Sequence, residues 1–277
     1  MAYPLAPTVP MAHGPRIPLI GLGTWPMQDE EAADAVAAAI EAGYRLFDTA
    51  ENYGNETGVG RGIRRSGVAR EDVFITTKFN KEWHSYDGAH RAFDASAARL
   101  GVEYIDLLLI HWPNPGQDRY VEAFQGLRAL LDAGKVRAIG TSNFKPAHLK
   151  RLYDEGLTPH INQIQLDPEH TRADIREVHA EYGIVTEAWS PLGRGGPVLD
   201  NRLIVDLAAA YQRTPSQIVL RWHTQQGIVA TPKSADIGRQ KENINIFDFQ
   251  LTPDEIDQIS ALDSGAPVGL DADEFGH

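Results

Sequence analysis

The chain has 277 residues, 42% of them hydrophobic, which is enough to bury the core of one large α/β unit. Its 26 basic against 38 acidic residues leave a net charge of −12, which argues against non-specific attraction to nucleic acid or anionic membranes. The lack of cysteine excludes disulfides, thiolate nucleophiles and cysteine-ligated zinc, and no apolar run reaches membrane-spanning length. Residues 1–18 contain Pro4, Pro7, Pro10, Pro15 and Pro18 and no basic stretch, so they read as an irregular or hairpin-like cap and not as a signal peptide. A soluble cytoplasmic protein is expected.

A first strand over 19–25 breaks at Gly23, and an alanine-rich helix over 29–41 is closed by Gly43. Strand 2 (45–47) opens at Asp48 into a polar loop holding Tyr53, followed by a helix over 58–65. Strand 3 (73–77) leads to Lys78, a helix over 87–100 stops at Gly101, and strand 4 (105–110) leads to His111. A helix over 120–133 ends at Gly134, and strand 5 (136–140) opens into Thr141-Ser-Asn-Phe144. Pro146 begins a helix to 153; strand 6 (161–166), a helix (172–182) and strand 7 (184–188) follow. A glycine-rich loop over 189–199 precedes helices at 202–211 and 215–225, strand 8 (228–231), and helices at 237–246 and 253–262, the last with Thr252 as N-cap. Residues 263–277 form a short tail with little pattern.

Eight strands alternating with helices in units of about 30 residues predict a single-domain (β/α)₈ barrel over residues 1–277. An open doubly wound sheet is disfavoured. Gly21-Leu-Gly23 lacks the third glycine of a dinucleotide-binding turn, and Gly58, Gly60 and Gly62 follow a loop and not a strand. In a parallel barrel the carboxyl ends of the strands share one face, so Asp48, Tyr53, Lys78 and His111 are expected to meet there.

Each of these four residues alone has a bland reading: a turn former, a loop aromatic, a solvated strand end, a core histidine. Together they suit proton delivery to a carbonyl oxygen. A phenol titrates near pH 10, and a buried ammonium beside it is expected to lower that value. A carboxylate keeps the lysine charged where burial opposes it, and a histidine across the site donates to a developing oxyanion. A metal site is disfavoured, because among ten histidines only His111 directly follows an apolar strand at the mouth.

At these residues the chain resembles the aldo-keto reductases. The resemblance runs through Gly21-Leu-Gly-Thr-Trp25, Asp48-Thr-Ala-Glu-Asn-Tyr53-Gly-Asn-Glu56, Thr76-Thr-Lys78, Leu108-Leu-Ile-His111-Trp-Pro113, Gly140-Thr-Ser-Asn-Phe144, Asn162-Gln-Ile-Gln165 and Trp189-Ser-Pro-Leu-Gly193. It continues through Pro232-Lys-Ser234 to Arg239 and Glu242-Asn243, covering about 18–262, and is greatest for compact bacterial members such as the 2,5-diketo-D-gluconate reductases. The resemblance implies a barrel that reduces aldehydes and ketones with NADPH. Tyr53 is then the general acid, His111 orients the carbonyl, and Lys78 with Asp48 tunes the tyrosine. Gly23, Thr24, Asp48, Ser142, Asn143 and Gln163 are expected to fix the nicotinamide and ribose, and Trp189 to stack beneath the ring. Ser190, Leu192 and Gly193 are expected to cradle the pyrophosphate.

Lys233, Ser234 and Arg239 place two cations and a hydroxyl near a helix start, which in an acidic protein suits a 2′-phosphate, although Asp236 opposes it. Glu242 and Asn243 resemble the residues that meet the adenine. Trp25, Trp83 and Trp112, with His111, are expected to wall the substrate pocket. The short tail predicts an open mouth taking small polar or α-dicarbonyl compounds as a monomer. The alternatives are a same-fold cofactor-binding regulatory subunit with little turnover and a metal-dependent barrel hydrolase.

Overall fold

A computed structural model describes residues 5–12 and 14–277. Among them a hairpin of β1 (Thr8–Pro10) and β2 (Arg16–Pro18) precedes β3 (Leu22–Gly23), β4 (Leu46–Asp48), β5 (Phe74–Phe79) and β6 (Ile105–Ile110). The strands continue as β7 (Val136–Ser142), β8 (Ile161–Gln165), β9 (Val185–Trp189) and β10 (Val229–Thr231). The helices of the first half are α1 (Asp29–Glu41), α2 (Glu56–Ser66), α3 (Tyr86–Leu100), α4 (Tyr120–Asp132) and α5 (Pro146–Asp154). Those of the second are α6 (Ala173–Tyr182), α7 (Arg202–Tyr211), α8 (Pro215–Gln225), α9 (Ile237–Ile244) and α10 (Pro253–Ser260). The strands from β3 to β10 pair in parallel in chain order, and bridges from Ile20 to Ala230 and from Gly23 to Lys233 join the first to the last. The expected (β/α)₈ barrel is the fold.

Two apolar layers hold it. One lies between sheet and helices, where faces such as Ala32, Val36 and Ile40 of α1 pack on the strands. The other fills the barrel interior below the mouth with Leu46, Phe74, Leu107, Leu109, Ala138, Ile161 and Val229. Met11 and Ile17 of the hairpin segment close it from below, so the expected cap at 1–18 is a hairpin that plugs the barrel floor. Residues 1–4 and 13 of that stretch lie outside the described residues. Among the described residues no helix is long and apolar enough to cross a membrane.

Several boundaries differ from the sequence reading. Lys78, Ser142 and Trp189 lie inside β5, β7 and β9 and not beyond them. Ladder pairing is a backbone property, and a polar side chain with an inward partner does not end it. The first strand shrinks to Leu22–Gly23 with Ile20 bridged separately. Thr252 does cap α10, its hydroxyl accepting from Glu255 N while Glu255 caps Thr252 N in return.

Gly58, Gly60 and Gly62 sit on the face of α2 that meets its neighbours. A Cβ on Gly58 would collide with the Asp29 carbonyl, one on Gly60 with the Leu100 carbonyl, and one on Gly62 with Ala33 O and Val36. The three glycines therefore let the backbones of α1 and α3 close on α2, which carries the Tyr53 loop at its start. Gly60→Ala is expected to lower stability by about 1–3 kcal/mol by overpacking, although alanine is the better helix former. Gly116, with open space around its Cα, is the control: Gly116→Ala should stay within about 0.5 kcal/mol. Urea unfolding of both variants checks the contrast.

Candidate active site

The mouth of the barrel is built on a buried ion pair. Lys78 Nζ, fully buried, donates to Asp48 Oδ1 at 2.8 Å, Asp48 Oδ2 at 2.9 Å and Thr49 O at 3.0 Å. Burial, the largest single influence, pushes the lysine down, but the charge and hydrogen bonds of Asp48 together with the charges of Tyr53 and Glu187 outweigh it, and its pKa stands above the ordinary value. Asp48 is held in turn by Gln163 Nε2 on β8, which donates to Oδ1 at 2.8 Å. Thr24 N and Oγ1 donate to its backbone carbonyl at 3.1 and 2.9 Å.

Tyr53 reaches this pair from a short turn, Glu51–Tyr53, that ends at Gly54 with φ +69°. Both flanks of the turn are pinned. Glu51 accepts from Asn80 N at 2.6 Å and Trp83 Nε1 at 2.9 Å, and Glu56 accepts from Thr77 Oγ1 at 2.6 Å. Asn55, fully buried, accepts from Thr49 Oγ1 at 2.7 Å and donates to Thr24 O and Met27 O. The result places Tyr53 Oη 3.3 Å from Lys78 Nζ. The expected lowering of the phenol does not prevail. Burial pushes it up, Lys78 pulls it only part of the way back, and Asp48 raises it further.

His111, at the end of β6, faces Tyr53 edge to face with ring centroids 6.0 Å apart. Burial and the nearby Lys78 hold it well below the usual histidine value, so the imidazole is neutral. Its Nδ1 is buried with no hydrogen-bond partner among the described residues. The Asn143 side chain is already engaged: Nδ2 donates to His111 O and Ser142 Oγ, while Oδ1 accepts from Trp189 Nε1 at 2.9 Å. This fixes the indole of Trp189 through Asn143 to the end of β6 at His111.

A cleft of about 690 Å³ runs from Tyr53 and His111 to α9. It is lined by Gly23, Thr24, Trp25, Asp48, Trp112, Ser142, Asn143, Gln163, Trp189, Ser190, Leu192, Lys233, Ser234, Arg239, Glu242 and Asn243, so most of the residues singled out in the sequence converge on one space. Lys78 lies beneath it, and Gly193, with φ +62°, supports the loop beside it. Trp83 does not line the cleft; it stands behind Glu51. At the far end the Arg239 guanidinium has no partner among the described residues, and Lys233 Nζ has only Glu31 at 3.9 Å. Asp236 caps α9, its Oδ1 accepting from Arg239 N at 2.8 Å, so the helix start is partly satisfied by the chain itself, which leaves the Arg239 guanidinium and the loosely paired Lys233.

Residues 263–277, expected to leave the mouth open, fold across it. Lys145 ion-pairs with Asp271 and Asp273, and His148 Nε2 meets Asp273 at 3.0 Å. Phe275 packs on Trp112 with centroids 4.8 Å apart, and His277 on His111 at 4.9 Å. His277 Nε2 also lies 2.6 Å from Asn52 Nδ2. Sequence reasoning missed these contacts because the segment has no periodicity to reveal them. It also passed over Arg194, whose guanidinium lies between the rings of Trp25 and Trp189 at 5.9 and 5.4 Å. The third omission, Glu187, sat two residues before Trp189 and so on the same inward face of its strand.

A half-buried phenol with a buried ammonium, carboxylate and neutral imidazole at the carboxyl end of a parallel barrel define a site for polarising and protonating an oxygen. Among the described residues no three metal-ligating side chains converge. The profile of the Aldo/keto reductase family matches residues 19–264, and the chain belongs to that family. It is 45% identical to 2,5-diketo-D-gluconic acid reductase B of Corynebacterium sp. (strain SHS752001), over 95% of each chain. It is 44% identical to methylglyoxal reductase DkgA of Escherichia coli (strain K12), over 98% of each. A mutant of Gox0644 solved in complex with NADPH superposes with a TM-score of 0.92 at 39% identity, over 97% of this chain and 98% of that one.

Removing one partner of a buried ion pair strands the other charge, which typically costs about 3–5 kcal/mol. Asp48→Asn is therefore expected to destabilise the fold by that order. Without its carboxylate partner Lys78 is governed by burial, so its folded pKa drops below the unfolded value of about 10.4. The unfolded chain then binds more protons over that range, and stability rises with pH. The gap between variant and wild type should thus shrink as pH approaches about 10, read from urea unfolding at several pH values. A gap that stays constant would contradict the pairing.

Proposed function

We propose that this protein reduces small carbonyl compounds to alcohols with NADPH, Tyr53 acting as the general acid. The observation that carries the reading is Tyr53 Oη held 3.3 Å from Lys78 Nζ, opposite neutral His111, at one end of a cleft whose other end holds Lys233 and Arg239. Bound NADPH supplies the hydride. A carbonyl oxygen between Tyr53 and His111 then accepts the phenolic proton and a hydrogen bond from the imidazole. The phenolate left behind lies beside the Lys78 ammonium, which stabilises it, and Asp48 holds that ammonium in place.

The residues of the cleft fit the cofactor. Two cations without close partners suit a 2′-phosphate, and Arg239 brings a planar fork to it. Ser190, at φ +51°, and Gly193 form a turn at the middle of the cleft, where a pyrophosphate would pass. The fixed Trp189 indole offers a flat face for the nicotinamide. The names of the diketogluconate and methylglyoxal reductases to which the chain is similar support small polar and α-dicarbonyl substrates. The mouth narrowed by Phe275 and His277 supports the same class.

Tyr53→Phe removes one oxygen and should cut the rate of reduction by about 10²–10⁴, with NADPH affinity little changed. The measurement is NADPH absorbance loss on a methylglyoxal and simple-aldehyde panel; a folded variant with near-wild-type turnover would overturn the assignment.

Arg239→Ala should weaken NADPH selectively. A charge-assisted hydrogen bond is worth about 1.5–3 kcal/mol, so the loss is about tenfold or more, and NADH binding should change little. Fluorescence titration of both cofactors decides, since equal weakening would mean that Arg239 holds the adenosine or the helix and not the phosphate.

A further inference from the structure

The strand β9 carries a buried acid that the reaction described above does not use. Glu187 is fully buried, in register with Gln163 on β8 and Val229 on β10. Strand alternation puts it on the face shared by Trp189, toward the barrel interior. No hydrogen bond of normal geometry reaches either carboxyl oxygen from the described residues; the neighbouring amide, Gln163 Nε2, donates to Asp48 Oδ1 at 2.8 Å, and its pull on Glu187 is the weakest of those acting there. The ionisable groups whose charges reach it are Asp48 on β4, Lys78 on β5 and Tyr53 on the loop after β4. Among the described residues β6, β7 and β10 present Leu107, Leu109, Ala138 and Val229 to the interior, with Ser142 and Thr231 nearer the mouth, and none of these is ionisable.

A bare carboxylate is costly in such a place. Burial first, and the charge of Asp48 second, push the Glu187 acid up to about 8 against the pull of Lys78. We propose that Glu187 is a positioning residue for proton donation: as a neutral acid it leaves the Lys78 charge to the Tyr53 oxygen, and as an anion it holds the Tyr53 proton in place. The charge count gives the reason. Asp48 and Lys78 cancel, so transfer of the Tyr53 proton to a carbonyl oxygen takes the cluster from neutral to one negative charge. With Glu187 ionised the same transfer would leave two negative charges in a buried space. The anion therefore makes the phenol a poorer donor and keeps it protonated to higher pH.

This rests on Tyr53 being the donor, and two measurements separate the claims. In the holoenzyme, the pH profile of kcat/KM for reduction is compared between wild type and Glu187→Gln, each normalised to its own maximum. Conditions are chosen so that deuterated NADPH gives a primary isotope effect. The glutamine lacks the anion, so the Tyr53 proton is lost at lower pH and the alkaline limb should move down by about one unit. A limb that stays put or moves up overturns the proposal. The second measurement needs no turnover and no variant. Infrared spectra of the wild-type protein, with and without ¹³C-labelled glutamate, should show a protonated carboxyl stretch near neutral pH that fades as pH passes about 8. Absence of that band overturns the proposal even if the glutamine variant fails to fold. Should Tyr53→Phe retain turnover, the donor assignment fails, while the band still reports on Glu187.

Discussion

Burying an ammonium at the centre of the barrel mouth is costly, several kcal/mol per ion even after relaxation. Lys78 bears that cost because three oxygens from β4 and the residue after it close around Nζ. Much of the surrounding polar structure keeps those oxygens where they are. Thr24 holds the Asp48 carbonyl, Gln163 holds its carboxylate, and Asn55 ties the following loop to Thr49, Thr24 and Met27. The strands supply the positions and the polar network fixes the side chains on them, so the ion pair, the loop of Tyr53 and the floor of the cleft stand or fall together.

The cleft is asymmetric in a way that follows from the same physics. At the end nearest Tyr53 burial raises Tyr53 and Glu187 and lowers His111, while the charges around Lys78 hold it up against burial. A proton moved there changes a poorly screened field, so each neighbouring charge counts. At the α9 end Lys233 and Arg239 are solvated cations in a protein of net charge −12. In the proposed reading they meet an anion by charge and geometry. Arg194, between Trp25 and Trp189, lies over the middle of the cleft.

Residues 263–277 show how a segment without secondary structure can still be specified. Ion pairs from Lys145 and His148 to Asp271 and Asp273 anchor one part, and aromatic contacts of Phe275 and His277 with Trp112 and His111 anchor the other. The backbone of His277 also accepts from Lys81 N at 3.2 Å. The wall of the cleft around Tyr53 and His111 is thus assembled from the loops after β3, β4 and β6 together with a stretch more than 150 residues further along the chain.

The alternation of short apolar runs with amphipathic helices determined a parallel sheet covered on both faces, and eight units of about 30 residues without a dinucleotide-binding glycine turn favoured the closed barrel over an open sheet. The same reading put Asp48, Tyr53, Lys78 and His111 together, since parallel strands deliver their carboxyl ends to one face. Local chemistry also showed the Thr252 cap, where hydroxyl and carboxylate are three residues apart. Tertiary structure alone decided the rest. That Trp83 stands behind Glu51 and that His277 meets His111 are contacts between residues whose sequence neighbours carry no trace of the partner. The net direction of the Tyr53 shift belongs here as well. Its sign is a contest between burial and three neighbouring charges, and burial is a property of the packed barrel that no stretch of sequence contains.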